Sequence, residues 1–317
     1  MSKRSLEEAF NTVFHHKDSF SDFCSLDIEQ ELVLFSANGR ELCRPSKKLK
    51  NYLRFIDKVL LRYLKKNNEV VHSYIKGKSA LTAVKAHSGN SHFLTTDIQS
   101  FFSNITKNDV NEILKKNIDD IPVSDVKLYI PQLSEMMTWD KTLPVGFPTS
   151  PQLSNAFLFD FDQALDGYCN KNKFTYSRYS DDIIISSRSF EGFDELLNVI
   201  QKYLHEKASK KLILNTDKTR FLHTGNKVKI LGLVITPVGS VTIDSKYKRQ
   251  LESLMHFYVN DTEKFHKIVN ETLQGKEHTL FGLLHYAKSI DPKYLKKLQR
   301  KYGAFALSSL MKDRWNG

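Results

Sequence analysis

Between Arg40 and Lys66 the apolar residues Leu49, Leu53, Ile56, Leu60 and Leu64 recur every three or four positions, which predicts a helix with one packed face. Upstream, residues 1–38 mix short helical patterns with one strand-like run, "ELVLFSAN". "SHFLTTDIQSFFSNITKNDVNEILKKN" predicts a strand ending near Asp97, a turn, and a helix from about Asn108. A hydrophilic interlude, "IDDIPVSDVK", comes next. The Pro/Gly-rich "TWDKTLPVGFPTSP" then leads into one long helix from Pro151 to about Tyr168. "FTYSRY" and "IIISS" flank Asp181 and Asp182 as the arms of a hairpin. "FEGFDELLNVIQKYLHEKAS" reads as an amphipathic helix and "LILN" as a strand. "VKILGLVITPVGSVTI" reads as a second hairpin turning at Pro237 to Gly239. From Ser245 onward the pattern is helical. The central order of strand, helix, hairpin, helix and strand is that of a split βαβ sheet with helices on one face, so the class expected is α+β.

Charge narrows the function classes. The 317 residues carry a formal net charge of +11, which suits a polyanionic partner. The excess is concentrated: ten basic residues against two acidic ones lie between Arg40 and Lys66. Lys47, Lys48 and Lys50 fall in that run. From Ser245 on there are fourteen Lys or Arg against seven Asp or Glu, or +7 of the total. The tyrosines Tyr247, Tyr258, Tyr286, Tyr294 and Tyr302 interleave with those cations and are expected mostly in the core or rim, with some stacking on bases. Three widely spaced cysteines, Cys24, Cys43 and Cys169, without a CxxC, argue against a disulfide framework or a thiolate zinc site. No run approaches the ~18 apolar residues of a membrane span, and no signal-peptide pattern opens the chain. A reduced, intracellular protein fits.

The adjacent carboxylates Asp181 and Asp182 stand where a strand interior disfavours them. Asp97, at the end of its own strand, would converge on them if the strands are neighbours. Such a group would suffer raised pKa values unless a divalent cation compensated it, and Mg²⁺ favours oxygen ligands. Two such ions serve in-line phosphoryl displacement. A second pair, Asp119 and Asp120 in "KNIDDIPV", lies in a polar stretch and reads as a solvated loop. Asp162 and Asp166 in "FDFDQALD" share one helix face, expected to be solvated.

These residues carry a family likeness. "YSDD" at Tyr179–Asp182 resembles the YxDD motif of reverse transcriptases, and "TTDIQSFF" resembles their first catalytic motif. "LPVGFPTSP" at Leu143–Pro151 resembles their LPQGxxxSP loop, while "LNTDKTRF" and "ILGLVIT" resemble the motifs after the YxDD hairpin. "GRELCRPSKKLK", "IKGKSALTAVKAHSGNSHFL" and "LLHYAKSIDPKYLKKLQRKYG" look retron-like. The chain is thus similar to bacterial retron-type and defence-associated reverse transcriptases, within the group II intron-like superfamily.

The resemblance implies roles one residue at a time. Asp97, Asp181 and Asp182 would be catalytic metal ligands, with the Ile98 carbonyl as a backbone ligand. The cofactor would be two Mg²⁺ ions, with Mn²⁺ as the alternative. Phe102 would be the steric gate that favours dNTPs. Phe101 is assigned with it to the nucleotide site, and core packing is the simpler reading of that side chain. Gly146 and Ser150 would shape the loop against template and nucleotide, and Arg40 would clamp the triphosphate. Lys218 is the candidate proton donor to pyrophosphate. Lys47, Lys48, Lys50, Tyr179, Leu231 and Gly232 would meet nucleic acid, the last two as primer grip. The chain departs from the pattern at Val145, where many relatives have Gln, and at Ser100, where Asp is frequent. Only His87 remains of a retron NAxxH signature, and Ile230-Leu231-Gly232 stands where VTG is usual. These departures point toward a defence-associated relative using a different RNA, or none.

The implied architecture is a right-hand polymerase: fingers at 1–95, a split-βαβ palm at 93–240 with an inserted fingers segment at about 106–142, and a helical thumb at 241–317. The implied function is RNA-directed DNA synthesis in the bacterial cytoplasm, in antiphage defence. Its partners would be an RNA template, the DNA product, a dedicated non-coding RNA and a defence effector protein. No membrane is expected, and homo-oligomerisation stays open. The alternatives are an RNA-copying RNA polymerase, template-independent or protein-primed synthesis, and a non-enzymatic RNA-binding scaffold.

Overall fold

A computed structural model describes residues 3–37, 40–273 and 278–312. The elements follow from local signals. Ser5 and Glu8 form a reciprocal capping box that starts α1 (Leu6–Phe14). A short α2 (Phe20–Cys24) precedes the hairpin of β1 (Leu32–Ala37) and β2 (Arg40–Pro45). Ser46 caps α3 (Lys47–Val59), the helix predicted from its apolar stripe, with Leu49, Leu53 and Ile56 buried. Next come α4 (Ala80–Ala86) and β3 (His92–Asp97). Thr106 and Asp109 form a second capping box at α5 (Lys107–Lys116). A helix without a clear sequence signal follows, α6 (Val126–Met137), which contains Pro131.

The expected single helix from Pro151 to Tyr168 is two, α7 (Ser150–Phe157) and α8 (Phe159–Lys171). Leu158, with φ −91° and ψ 7°, leaves helical geometry between them. The hairpin of β4 (Thr175–Tyr179) and β5 (Asp182–Ser187) pairs Tyr179 with Asp182, so Ser180 and Asp181 make a two-residue turn. Then come α9 (Phe193–Lys207) and β6 (Arg220–His223). "LILN" is not a full strand: Leu214 makes a single bridge to Ile98.

The second predicted hairpin is a three-stranded meander, β7 (Val228–Ile230), β8 (Leu233–Ile235) and β9 (Val241–Ile243). It has the expected turn near Pro237 to Gly239 and a further tight turn at Leu231-Gly232. Both residues of that turn have positive φ, +49° and +79°, the sign pattern of a I′ turn. The missed turn had a glycine signal, but the unbroken apolar run hid it. Among the described residues five helices follow: α10 (Ser245–Asn260), α11 (Thr262–Leu273), α12 (His278–Ile290), α13 (Pro292–Tyr302) and α14 (Ala304–Lys312).

The chain packs as two compact units, one of residues 1–79 and 93–221, the other of residues 80–92 and 222–317. In the first, β3, β4, β5 and the first two residues of β6 belong to a sheet in the order β4-β5-β3-β6. That is the split βαβ order, and the α+β class is as expected. Its apolar core runs from Leu6 and Phe10 through Leu49 and Phe55 to Ile183, Ile185 and Leu196. In the second unit, α4 packs on β8 and β9. A Cβ at Gly239, whose φ is +77°, would lie 2.7 Å from the Ser88 carbonyl oxygen, so this turn requires glycine. Lys227 and Lys229 each reach Asp244 at 2.9 Å at the start of α10, and Tyr294 and Tyr302 donate to the Lys248 and Glu252 carbonyls. Those two tyrosines brace the helices. No described helix is long and apolar enough to cross a membrane.

Candidate active site

Asp97 closes β3, and Asp182 opens β5 after the turn that carries Asp181. Backbone hydrogen bonds set them side by side. The Ile98 N–H donates to the Asp181 carbonyl at 3.2 Å, and the Asn215 N–H donates to the Asp97 carbonyl at 2.8 Å. The second bond anchors the one-turn helix Thr216–Lys218 next to β3. From there Lys218 Nζ donates to Asp97 Oδ2 at 3.0 Å.

The electrostatics are those of crowded acids. Asp97 is 5 % exposed, and its Oδ1 is buried with no hydrogen-bond partner. Leaving such an atom unsatisfied costs on the order of 1–3 kcal/mol, more for a charged group. The Asp182 carboxyl is pushed up to about 6, first by burial and then by Asp181 and Asp97, with Lys218 opposing. The hydrogen bond and charge of Asp97 hold the Lys218 ammonium above the usual lysine range.

These backbone bonds bring the end of β3 to the β4–β5 turn, and Asp181 and Asp97 lie close enough to act on the Asp182 carboxyl. Among the described residues, no three His, Cys, Asp or Glu side chains are grouped to hold a metal ion. Like charges repel, and Asp97 turns to a lysine instead. The donor set still fits a hard divalent cation: three carboxylates supply only oxygen, and the orphaned Asp97 Oδ1 lacks a positive partner.

The other expected site residues separate into groups. Phe102 is half-buried, and its ring lies 5.5 Å from that of Phe101. Phe101 itself is 3 % exposed and belongs to the core. Its assignment to the nucleotide site is corrected, because a ring packed on all sides has no face for a ligand. Gly146 has φ +101° on the exposed loop beside Val145, a conformation that favours glycine. Ser150 is 1 % exposed and its Oγ donates to the Pro144 carbonyl at 2.7 Å. It shapes the loop from inside. Tyr179 is half-buried, and Lys47, Lys48 and Lys50 are exposed along α3. Arg40 opens β2, but its side chain lies outside the described residues. Leu231 and Gly232 form the tight turn of the second unit. Asp119 and Asp120 are exposed as expected, with Asp120 paired to Lys65 at 3.3 Å. A cleft of about 350 Å³ lined by Lys65, Asp109, Lys116, Asp160 and Lys207 includes none of the three site carboxylates.

One expectation is reversed. Asp162 is not on a solvated face. It is fully buried and forms a bidentate pair with Arg178, itself fully buried, through Nε–Oδ1 at 2.8 Å and Nη2–Oδ2 at 2.6 Å. Asp166, half-buried, accepts from Asn170 at 3.0 Å. Arg178 lies within a strand, where a buried charge needs a partner, but no local pattern says that Asp162 supplies it.

A family model described as reverse transcriptase (RNA-dependent DNA polymerase) matches residues 36–235. The retron Ec83 reverse transcriptase of Escherichia coli is 25 % identical over 281 residues, covering 86 % of each chain. The retron Ec86 reverse transcriptase, also of E. coli, is 26 % identical over 275 residues, covering 83 % of this chain and 78 % of the relative. Among solved structures, a telomerase from Candida albicans covers 90 % of this chain and 61 % of its own at 14 % identity, with a TM-score of 0.49. The matched span contains β3, the β4–β5 hairpin and all three site carboxylates. The chain therefore belongs to the reverse transcriptase family, as an RNA-directed DNA polymerase of the bacterial retron type.

Proposed function

We propose that the chain extends a primer on an RNA template by nucleotidyl transfer at Asp97, Asp181 and Asp182, with two Mg²⁺ ions as cofactors. Enzymes of this family use divalent metal ions. The observation that carries the assignment is the buried, unpartnered Asp97 Oδ1 beside the Asp181 turn. The three carboxylates and the Ile98 carbonyl would hold the ions. When bound, such ions neutralise phosphate charge and lower the pKa of the primer hydroxyl.

The protein's own groups do the rest. The primer 3′-hydroxyl releases its proton to solvent, its oxygen bonds to the α-phosphorus as the bond to the bridging oxygen breaks, and pyrophosphate leaves. The Lys218 ammonium gives its proton to the departing pyrophosphate. The half-buried Phe102 ring excludes a ribose 2′-hydroxyl. The loop at Gly146, held from within by Ser150, lies against template and nucleotide. Arg40 binds the triphosphate, and Lys47, Lys48, Lys50 and Tyr179 meet nucleic acid mainly at phosphates. Leu231 and Gly232 act as primer grip. In this reading residues 1–95, 93–240 and 241–317 work as fingers, palm and thumb.

The biological role proposed is antiphage defence in the bacterial cytoplasm, with a dedicated non-coding RNA and an effector protein. The similarity to retron reverse transcriptases supports it. The test is to purify the protein with its nucleic acid, sequence the bound RNA, and supply each labelled dNTP separately. A single bound RNA species whose complement appears in the labelled DNA is the result expected. A homopolymer made without RNA would overturn it.

A further inference from the structure

Behind the acidic turn lies a buried polar assembly that nothing in the reaction scheme uses. Arg178 is fully buried in β4, two residues before Ser180. Besides its fork to Asp162, its Nη1 donates to the Ser180 carbonyl at 2.8 Å and to Asn155 Oδ1 at 3.2 Å. Asp162 Oδ1 also accepts from the Tyr176 hydroxyl at 2.7 Å. The Ser180 N–H donates to Ser73 Oγ at 2.8 Å, and Asn155 Nδ2 donates to the Ser73 carbonyl at 3.0 Å. Side chains therefore hold both peptide groups of Ser180, the N–H from one side and the C=O from the other.

Ser180 needs holding. Its φ is +59°, a left-handed conformation that strains a non-glycine residue. It is the first residue of the two-residue turn whose second is Asp181. A rotation at Ser180 would swing the Asp181 peptide, and with it the carbonyl that accepts from Ile98 N–H.

Energetics argue that the pair does more than stabilise. Burying two charges costs several kcal/mol per ion, and apolar replacements of similar volume are often neutral or better. Leu or Met at 178 and 162 would leave the Ser180 carbonyl, the Tyr176 hydroxyl and Asn155 Oδ1 without these partners. What the ion pair adds over an apolar core is a fixed direction for the Ser180 peptide.

We infer that Arg178, oriented by Asp162, and Ser73 are positioning residues: together they lock the left-handed Ser180 so that Asp181 and Asp182 face Asp97. The inference rests on the reading of those three acids as the polymerase site. It makes the bundle of α7, α8 and the Val70–Tyr74 segment part of the catalytic geometry. That segment bridges β4 through Val71 and Arg178.

The test compares Ser73→Ala, Ser73→Thr and Arg178→Lys with the wild type. Mn²⁺ affinity is read from the free-ion electron paramagnetic resonance signal without substrates, beside kcat, KM for dNTP and thermal midpoint. Ser73→Ala and Arg178→Lys are expected to weaken Mn²⁺ binding by about 10–100-fold, the usual loss when a ligand's outer partner is removed. They should lower kcat more than they raise KM. Ser73→Thr, which keeps the hydroxyl, should recover most of both. If Arg178→Lys does not fold, Ser73→Ala decides alone. Wild-type Mn²⁺ affinity and kcat in folded Ser73→Ala would overturn the inference. Asp181→Asn in the same series separates the two failures: if it polymerises normally, the site reading fails, whatever the lock does.

Discussion

Lys218 Nζ sits 3.0 Å from Asp97 Oδ2, so one of the protein's own cations covers one oxygen of the most buried acid in the site while the other oxygen has no partner. This arrangement holds the site together before any substrate arrives. Lys218 also opposes the upward push on the Asp182 carboxyl.

Replacing Lys218 with Met removes that proton and that counter-charge. The turnover rate should fall by about 10²-fold, the scale of general-acid loss, with KM for dNTP changing little. Single-turnover primer extension measures it. An unchanged rate would remove Lys218 from the chemistry.

Phe102 is half-buried and Phe101 is core, so only the former can face a sugar. Phe102→Ala should raise ribonucleotide incorporation relative to deoxyribonucleotide by about tenfold or more, since a cavity replaces a steric wall. Competition between ATP and dATP opposite template uridine reads the ratio. Phe101→Ala should instead lower stability by about 3–5 kcal/mol without changing sugar choice.

Asp162→Ala leaves the buried Arg178 guanidinium without its carboxylate. Breaking a buried pair costs about 3–5 kcal/mol. The thermal midpoint should therefore drop by many degrees, and urea unfolding should show the same loss.

Acid should weaken the second unit through Asp244 and Asp291. Hydrogen bonds from Lys227, from the Lys246 N–H and from Lys229 hold the Asp244 carboxyl well below the usual range. Burial pushes Asp291 up, but the Thr242 hydroxyl, the Tyr294 N–H and Lys248 outweigh it. A folded-state pKa below the unfolded value means stability that is present above about pH 4 and lost as pH falls toward the folded pKa. Urea midpoints at neutral pH and at about pH 3 should differ less in Asp244→Asn than in the wild type.

Much of this was legible from residue patterns. The strand ending at Asp97 and the hairpin around Asp181–Asp182 announce themselves, because charged residues interrupt apolar runs. The amphipathic stripe of α3 did the same for its packed face. Four features were not legible, each because local pattern does not carry it. Pro131 disguised α6, since a helix can lose one backbone bond when neighbours pack it. The break at Leu158 carries no Gly or Pro. Asp162 looked solvated because helix spacing gives a face but not what covers it; the cover is Arg178, contributed by a strand sixteen residues later. Lys218 on Asp97 Oδ2 likewise depends on a backbone bond from Asn215 that no local pattern reveals.

The central claim is that Asp181 acts with Asp97 and Asp182 in nucleotidyl transfer. Its most direct test is primer extension with labelled dNTP and Mg²⁺ by Asp181→Asn, a near-isosteric change at a half-buried position. The account predicts folded protein whose extension rate falls by at least about 10³-fold, as when a transition-state charge group is removed. Extension at the wild-type rate would contradict it.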